Sequence, residues 1–233
     1  MMTERHFDEE LSDLKKKLVH MGSVTEKMIH LATKGVVERD ESKAKTVFGM
    51  ENEVNGLHIE IDDVAMRLLA LHQPMATDLR LLATIVKVNS ELERIADLTV
   101  NICESTHFLT TDAHLKALHD LPAMAEIAEK MVSESLKSFT GKDVALANVV
   151  LDEDDKVDDL KDQIFRELLE QMISDPSVID SAIALILISR NLERIGDHAT
   201  NIAEDVIYMV QGRDVRHKTL EMEKHKYKQV DSE

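Results

Sequence analysis

The sequence predicts an all-α protein made of two tandem, similar three-helix bundles, six helices in all. Three observations carry that prediction. First, a signature block is written twice: Glu91-Leu-Glu-Arg-Ile-Ala-Asp-Leu-Thr-Val-Asn-Ile-Cys-Glu104 returns 100 positions later as Asn191-Leu-Glu-Arg-Ile-Gly-Asp-His-Ala-Thr-Asn-Ile-Ala-Glu204. Self-similarity at a long period marks two copies of one structural unit. Second, the chain holds only 7 Gly and 3 Pro, its aromatic content is 3%, and Ala, Leu, Ile, Met, Glu, Asp and Lys dominate, a composition that favours helix over sheet. Third, Leu82, Val86, Ile95 and Ile102, and likewise Ile183, Ile186, Ile195 and Ile202, keep the spacing of one helical face. A hydrophobic fraction of 43% supports a core.

Breakers and caps set the elements in order. A first helix is expected from about Glu4 to Glu38, with Asp40 capping a second that runs from about Glu41 to Leu71 and stops before Pro74. The third spans roughly Thr77 to Thr106, and Leu109 to Asp120 reads as the connector between copies. The fourth begins near Leu121-Pro122, since proline suits a first turn, and ends at Gly141. Asp143 caps a fifth that reaches about Ile173, and the sixth runs from Pro176 to near Gly212. The polar tail from Arg213 to Glu233 is expected to be frayed or a loosely docked helix.

The duplication extends beyond the signature. At an offset of 103, Met21 meets Met124, Met28 meets Met131, Asp40 meets Asp143, Val54 meets Val157 and Leu57 meets Leu160. The offset falls to 100 in the third helix of each copy, so the second copy has lost three residues near its second hairpin. The expected organisation is therefore a first repeat over 1–108, a second over 109–212 and a tail over 213–233.

Charge narrows the function classes. With 28 basic and 45 acidic residues the formal net charge is −17. Such a field repels nucleic acid and anionic lipid and attracts cations and basic protein surfaces. The N-terminal residues have neither the basic nor the apolar region of a secretory signal, and the apolar run Ile179 to Ser189 is too short to span a bilayer. The single cysteine, Cys103, cannot form an internal disulfide, which suits a reducing cytosol. A cytoplasmic protein is expected.

The recurring polar letters are what a core alone would not require. On a helix turning about 100° per residue, Glu93, Asp97, Asn101 and Glu104 share one strip, as do Glu193, Asp197, Asn201 and Glu204. Like charges at i,i+4 cost a few tenths of a kcal/mol when exposed, and about 4 kcal/mol in contact at an effective dielectric of 20. Folding each hairpin about its turn places Asp97 level with about position 52 and Glu93 with about 56, near Glu51, Glu53 and Asn55. In the second copy Asp197 falls level with about 153 and Glu193 with about 157, among Asp152, Glu153, Asp154, Asp155, Asp158 and Asp159. Helix axes lie about 8–10 Å apart, a gap that facing carboxylates can close around ions. Oxygen-rich sets suit hard or borderline cations such as Mg, Ca, Mn or iron. Arg94 and Arg194 can neutralise part of the charge, and inter-helix hydrogen bonds from Asn101 and Asn201 are a cheaper use of the same strip.

Other constellations are weaker. A ferritin-like di-iron site needs two facing Glu-x-x-His motifs, and the chain offers one, Glu104 to His107, at a helix end. There is no Gly-rich phosphate loop, Gly-x-Ser-x-Gly or Cys-x-x-Cys. His198 beside Asp197 is either an extra ligand or a surface histidine; Met21, Met28, Met124 and Met131 read as core, and Cys103 as an inert small residue.

At Glu93-Arg-Ile-Ala-Asp97 and Glu193-Arg-Ile-Gly-Asp197, with the Asn-Ile after each and the acidic Val-Asp segment of the fifth helix, the chain resembles the PhoU family from about residue 6 to 210. The resemblance implies a non-enzymatic, cytoplasmic homodimer that negatively regulates phosphate uptake and the phosphate-starvation response. It would act as a metal-binding adaptor between the ATPase subunit of a phosphate ABC transporter and a sensor histidine kinase, meeting the membrane only through these partners. The implied metal residues are Glu193, Asp197, Asp154, Asp158, Glu93, Asp97 and Glu51, holding divalent or trivalent ions among iron, Mn, Mg or Zn. Asn55 stands where the first copy would carry a second acid, which leaves the second copy as the expected stronger site. A metal-dependent helical hydrolase or oxidase, and a purely structural adaptor, are the rival readings.

Overall fold

The computed structural model describes residues 2–109, 115 and 117–215. Among the described residues six α-helices follow one another: α1 (Met2–Glu38), α2 (Glu41–His72), α3 (Ala76–Thr106), α4 (Ala117–Gly141), α5 (Val144–Ser174) and α6 (Ile179–Gln211). The all-α, two-by-three architecture is the one expected. Most of the polar tail and half of the connector lie outside the described residues.

Two boundaries differ from expectation. Helix α4 starts a turn earlier, at Ala117, so Pro122 sits inside the helix rather than in its first turn. Buried Leu121 and Leu115 anchor this end to the core, and that packing outweighs the proline's preference. Before α6, the segment Pro176–Val178 forms a 3₁₀ turn because Asp175 accepts from Ser177 N at 2.9 Å and Ser177 Oγ at 2.7 Å. The helix proper then begins at Ile179.

The repeat is visible in its turns. Arg39 and Lys142 both adopt φ of +54°, and each is followed by a capping aspartate. Asp40 accepts from Ser42 N at 2.9 Å and Asp143 from Leu146 N at 3.0 Å. Basic residue then aspartate is thus one hairpin device used twice. Gly212, at φ +67°, closes α6 with its N–H on Tyr208 O at 2.8 Å.

Within each half the second helix is outermost: α2 packs on α1 and α3, and α5 on α4 and α6. The halves join through α1 against α4 and α3 against α6. Buried side chains of both repeats form one continuous core that includes fully buried Met21, Met28, Met124 and Met131. Gly22 allows the close approach of α1 to α4, since a Cβ there would stand 2.3 Å from Leu136 Cδ1. Along the α3–α6 seam, Lys87 Nζ meets Asp205 Oδ1 at 2.6 Å and Arg80 Nε donates to Met209 O at 3.4 Å, fixing the two helices antiparallel.

The expected core faces hold at Leu82, Ile95, Ile102, Ile195 and Ile202, all buried. Val86 and Ile186 are half-buried, and Ile183 is 47% exposed. Ile183 corrects the expectation: α6 turns Ala182, Ala184 and Leu185 inward at this level, which points Ile183 out.

Because Asp143 satisfies an otherwise open N–H at the start of α5, Asp143→Ala should cost about 1 kcal/mol in urea denaturation, and Asp143→Asn only a few tenths. Equal losses for both would show that the cap contributes nothing.

Candidate metal centre

On α5, Val157 and Ile164 turn into the core, leaving Asp154, Asp158 and Lys161 along its border with α6. On α6, Leu192 and Ile195 are buried, so Glu193 and Asp197 lie on the flank that meets α5. Asp154 Oδ1 stands 3.5 Å from where a Cβ on Gly196 would be, beside Asp197. The hairpin therefore brings together the four second-repeat acids that the sequence nominated.

Their charges are crowded. Burial first, then the carboxylates of Asp197, Asp158, Asp155 and Glu193, push Asp154 up to about 6. Asp197 is raised in the same way, by burial and then by Glu193 and Asp158, while His198 and Lys161 pull it back. Lys161 is the residue that sequence reasoning missed. Its Nζ donates to Asp158 Oδ1 at 3.0 Å and to Glu193 Oε1 at 3.1 Å, an ammonium set into the acid cluster. Partial burial works against its charge, but the hydrogen bonds to Asp158 and Glu193 more than offset this and raise its pKa. A lysine three residues after Asp158, on the face that meets α6, was the available signal. Arg94 and Arg194, the expected neutralisers, are exposed and make no ion pair among the described residues.

The first repeat is arranged differently. Asn89 Nδ2 donates to His58 O and to Asp62 Oδ1, both at 2.9 Å, which fixes the α2–α3 register and sets Glu93 and Asp97 near the level of Glu51 and Asn55. Glu51, Asn55 and Glu93 are half-buried and Asp97 is exposed. At the offset of 103, Lys161 corresponds to His58, which leans to Asp62 with Nε2 at 3.8 Å from Oδ2. Among the described residues, Glu51, Glu93 and Asp97 carry no ion pair, so this repeat has no internal cation in its acid strip.

Two nominated residues belong elsewhere. His198 Nδ1 lies 2.6 Å from Glu91 Oε2 on α3, so it belongs to the seam between repeats and is neither a ligand of the acid cluster nor a free surface histidine. Asn201 Nδ2 donates to the same oxygen at 3.2 Å, the inter-helix hydrogen bond expected of it. Burial, then the Glu104 charge, pushes the Cys103 thiol up to about 12, as befits an inert core residue. A cavity of about 660 Å³ lies between α1 and α4 and is lined by Lys34, Lys130 and Lys137 facing Glu26, Glu126 and Glu129, away from both acid strips.

Among the described residues, no three His, Cys, Asp or Glu side chains are close enough as placed to share an ion. The chemistry of the second-repeat donors nonetheless fits a hard cation: four carboxylates, two with raised pKa, crowd one border with a single lysine to balance them.

An all-α tandem repeat with a carboxylate signature on the third helix of each half is the class that this fold and site define. The chain belongs to the PhoU family, whose PhoU domain model matches residues 18–106 and 121–206. It is 35% identical over 217 residues to the "Phosphate-specific transport system accessory protein PhoU homolog" of Zymomonas mobilis, covering 93% of this chain and 92% of that one. It is 36% identical to the counterpart of the same description in Pseudomonas aeruginosa, covering 91% and 88%. The crystal structure of PhoU from Pseudomonas aeruginosa superposes with a TM-score of 0.85 at 35% identity, over 89% of this chain and 100% of that one. The phosphate transport system regulatory protein PhoU from Streptococcus pneumoniae, at 24% identity and a TM-score of 0.83 over 90% and 99%, shares the fold.

The raised pKa of Asp154 has a definite sign. Above its unfolded value near 3.8 the native state still holds the proton, so stability falls as pH rises toward about 6. Asp154→Asn should flatten that fall and stabilise the protein at pH 7 by about 1 kcal/mol, allowing for solvent screening on its open side. Urea midpoints at pH 4.5 and 7.0 measure it. A midpoint difference between those pH values that Asp154→Asn leaves intact would contradict the crowding.

Proposed function

We propose that this chain is a non-enzymatic, cytoplasmic regulator of a phosphate-specific transport system, restraining phosphate uptake and the phosphate-starvation response when phosphate is ample. The observation that carries the reading is the crowded carboxylate border of α5 and α6, in a family whose relatives are named as accessory proteins of phosphate transport. The named relatives support the transport assignment, and the acid border supports the adaptor's use of cations. Its partners in this reading are the ATPase subunit of the transporter, the sensor histidine kinase of the response and a second copy of the chain. Among the described residues no helix is long and apolar enough to cross a membrane.

Metal binding is part of the proposal. Asp154, Asp158, Glu193 and Asp197 would hold a divalent or trivalent ion in the second repeat, and Glu51, Glu93 and Asp97 in the first. When bound, the cation supplies positive charge that offsets carboxylate repulsion and links α5 to α6. The chain's own contribution is to position the acids and to regulate access. Lys161 already supplies one charge between Asp158 and Glu193, so an incoming ion must displace it. This tethered competitor works against the advantage that Asn55 gives the second repeat.

Deleting the gene in its host and measuring secreted phosphatase and phosphate uptake tests the regulatory assignment. Both should remain high in ample phosphate, and repression like that of the parent strain would refute it. For the metal, titration calorimetry with Mn²⁺ should show binding that strengthens about tenfold in Lys161→Ala, as loss of one competing charge implies. Glu193→Ala/Asp197→Ala should abolish the second-repeat site. If Lys161→Ala leaves Mn²⁺ affinity unchanged, the lysine does not guard the site.

A further inference from the structure

The border between α5 and α6 changes character along its length. Toward the Asp175 turn the exposed side chains are apolar: Phe165, Leu169 and Ile173 on α5, and Leu187, Ile183 and Ile179 on α6. Each set repeats every four residues, so each forms one stripe along its helix. Antiparallel pairing about the turn sets Phe165 level with Leu187, Leu169 with Ile183, and Ile173 with Ile179. The register agrees with Lys161 on Glu193 and Asp154 beside Gly196 further along the same hairpin. The result is a ladder of three apolar rungs, all at least 39% exposed, with Ile173 at 75%.

The duplication supplies an internal control. The positions corresponding to Phe165, Leu169 and Ile173 are Asp62, Met66 and Ala70, and those corresponding to Ile179, Ile183 and Leu187 are Leu79, Ala83 and Lys87. The first hairpin thus folds with charged or small residues at four of the six places. Asp62 and Lys87 are engaged there by Asn89 and Asp205. The fold does not require six large apolar side chains on this surface, and soluble proteins rarely leave such contiguous patches open without a partner.

Charge says what the partner is. Beyond the Phe165–Leu187 rung the α5–α6 border becomes the acid cluster of Asp158, Glu193, Asp154 and Asp197, while Arg190 and Arg194 continue the outer face of α6 in line with Ile183 and Leu187. From Leu151 to Arg190 the sequence holds 11 acidic and 4 basic residues. A second copy of this hairpin would bring like charge to like charge, and an anionic membrane would be repelled. A basic surface is attracted.

We propose that the outer α5–α6 groove is the docking site for an amphipathic helix of a partner protein, apolar at one end over the three rungs and Lys/Arg-bearing at the other over the acids. Spanning Ile173 to Asp158 takes about 22 Å, a helix of roughly 15 residues. This is recognition of a helix in a groove, with apolar anchors for affinity and charge for orientation. The proposal stands on the hairpin alone and does not depend on the phosphate assignment.

The test uses the full-length chain and two labelled 16-residue helical peptides. One carries Leu on one face of its first half and Lys in its second half; its twin carries Glu in place of Lys. Fluorescence anisotropy should show the Lys peptide binding and the Glu twin not. Ile173→Lys/Ile183→Lys should weaken binding by at least about tenfold, whereas Met66→Lys in the first repeat should change it less than twofold. Circular dichroism checks folding, and Ile173→Lys alone, at the most exposed position, serves if the double variant unfolds. Failure of the Lys peptide to bind, equal binding of the twin, or unchanged affinity in the ladder variants would overturn the proposal. So would light scattering in which the ladder variants turn a dimer into a monomer, because a second copy would then be the occupant.

Discussion

The ammonium of Lys161, held between Asp158 and Glu193, is the contact on which the second repeat's acid border depends. Antiparallel packing of α5 on α6 forces Asp154, Asp158, Glu193 and Asp197 to one border, and partial burial removes much of the water that would screen them. Without an internal cation, two facing helices would repel along the seam that must close the bundle. One lysine offsets the repulsion between Asp158 and Glu193 but leaves Asp154 and Asp197 with raised pKa. The structure is therefore stable yet still negative at this place, which is the condition for drawing in a further positive group.

The two repeats divide their labour by substitution on a common frame. Their caps, core methionines and first hairpin turns are nearly interchangeable. Their outer hairpins are not. In the first, His58 replaces the lysine and Asn89 ties α2 to α3 through His58 O and Asp62. In the second, Lys161 and the apolar ladder occupy the corresponding surface. Across the middle, Glu91 takes His198 and Asn201 from α6, so part of the signature strip is used to join the halves. A duplicated motif can therefore serve a cation border along one edge of its helix and a structural seam along the other.

Much of this was legible in the sequence because helical periodicity and capping act locally. The Asp40 and Asp143 caps, the buried methionines and the inert Cys103 follow from spacing and residue type alone. The hairpin register was legible too, since a short turn between long helices fixes which residues stand level. The missed features depend on the angle at which each side chain leaves its helix. His198 is one residue beyond Asp197, and that step of about 100° carries it from the α5 side to the α3 side. Ile183 fits a core spacing with Ile186 but lies outside the stripe that α6 buries. Lys161 went unweighed because an i,i+3 pair with Asp158 reads as a surface ion pair until α6 brings Glu193 to the same ammonium. The early start of α4 follows from packing of Leu115 and Leu121, which no local signal reports.

The account rests on unspent negative charge at the α5–α6 border, and anomalous diffraction from crystals soaked in Mn²⁺ examines that border directly. It predicts an anomalous peak within coordination distance of the Asp154 and Asp197 carboxylates, with the Lys161 ammonium withdrawn from Glu193. Manganese scattered over unrelated surface acids, with Lys161 still seated on Asp158 and Glu193, would contradict it.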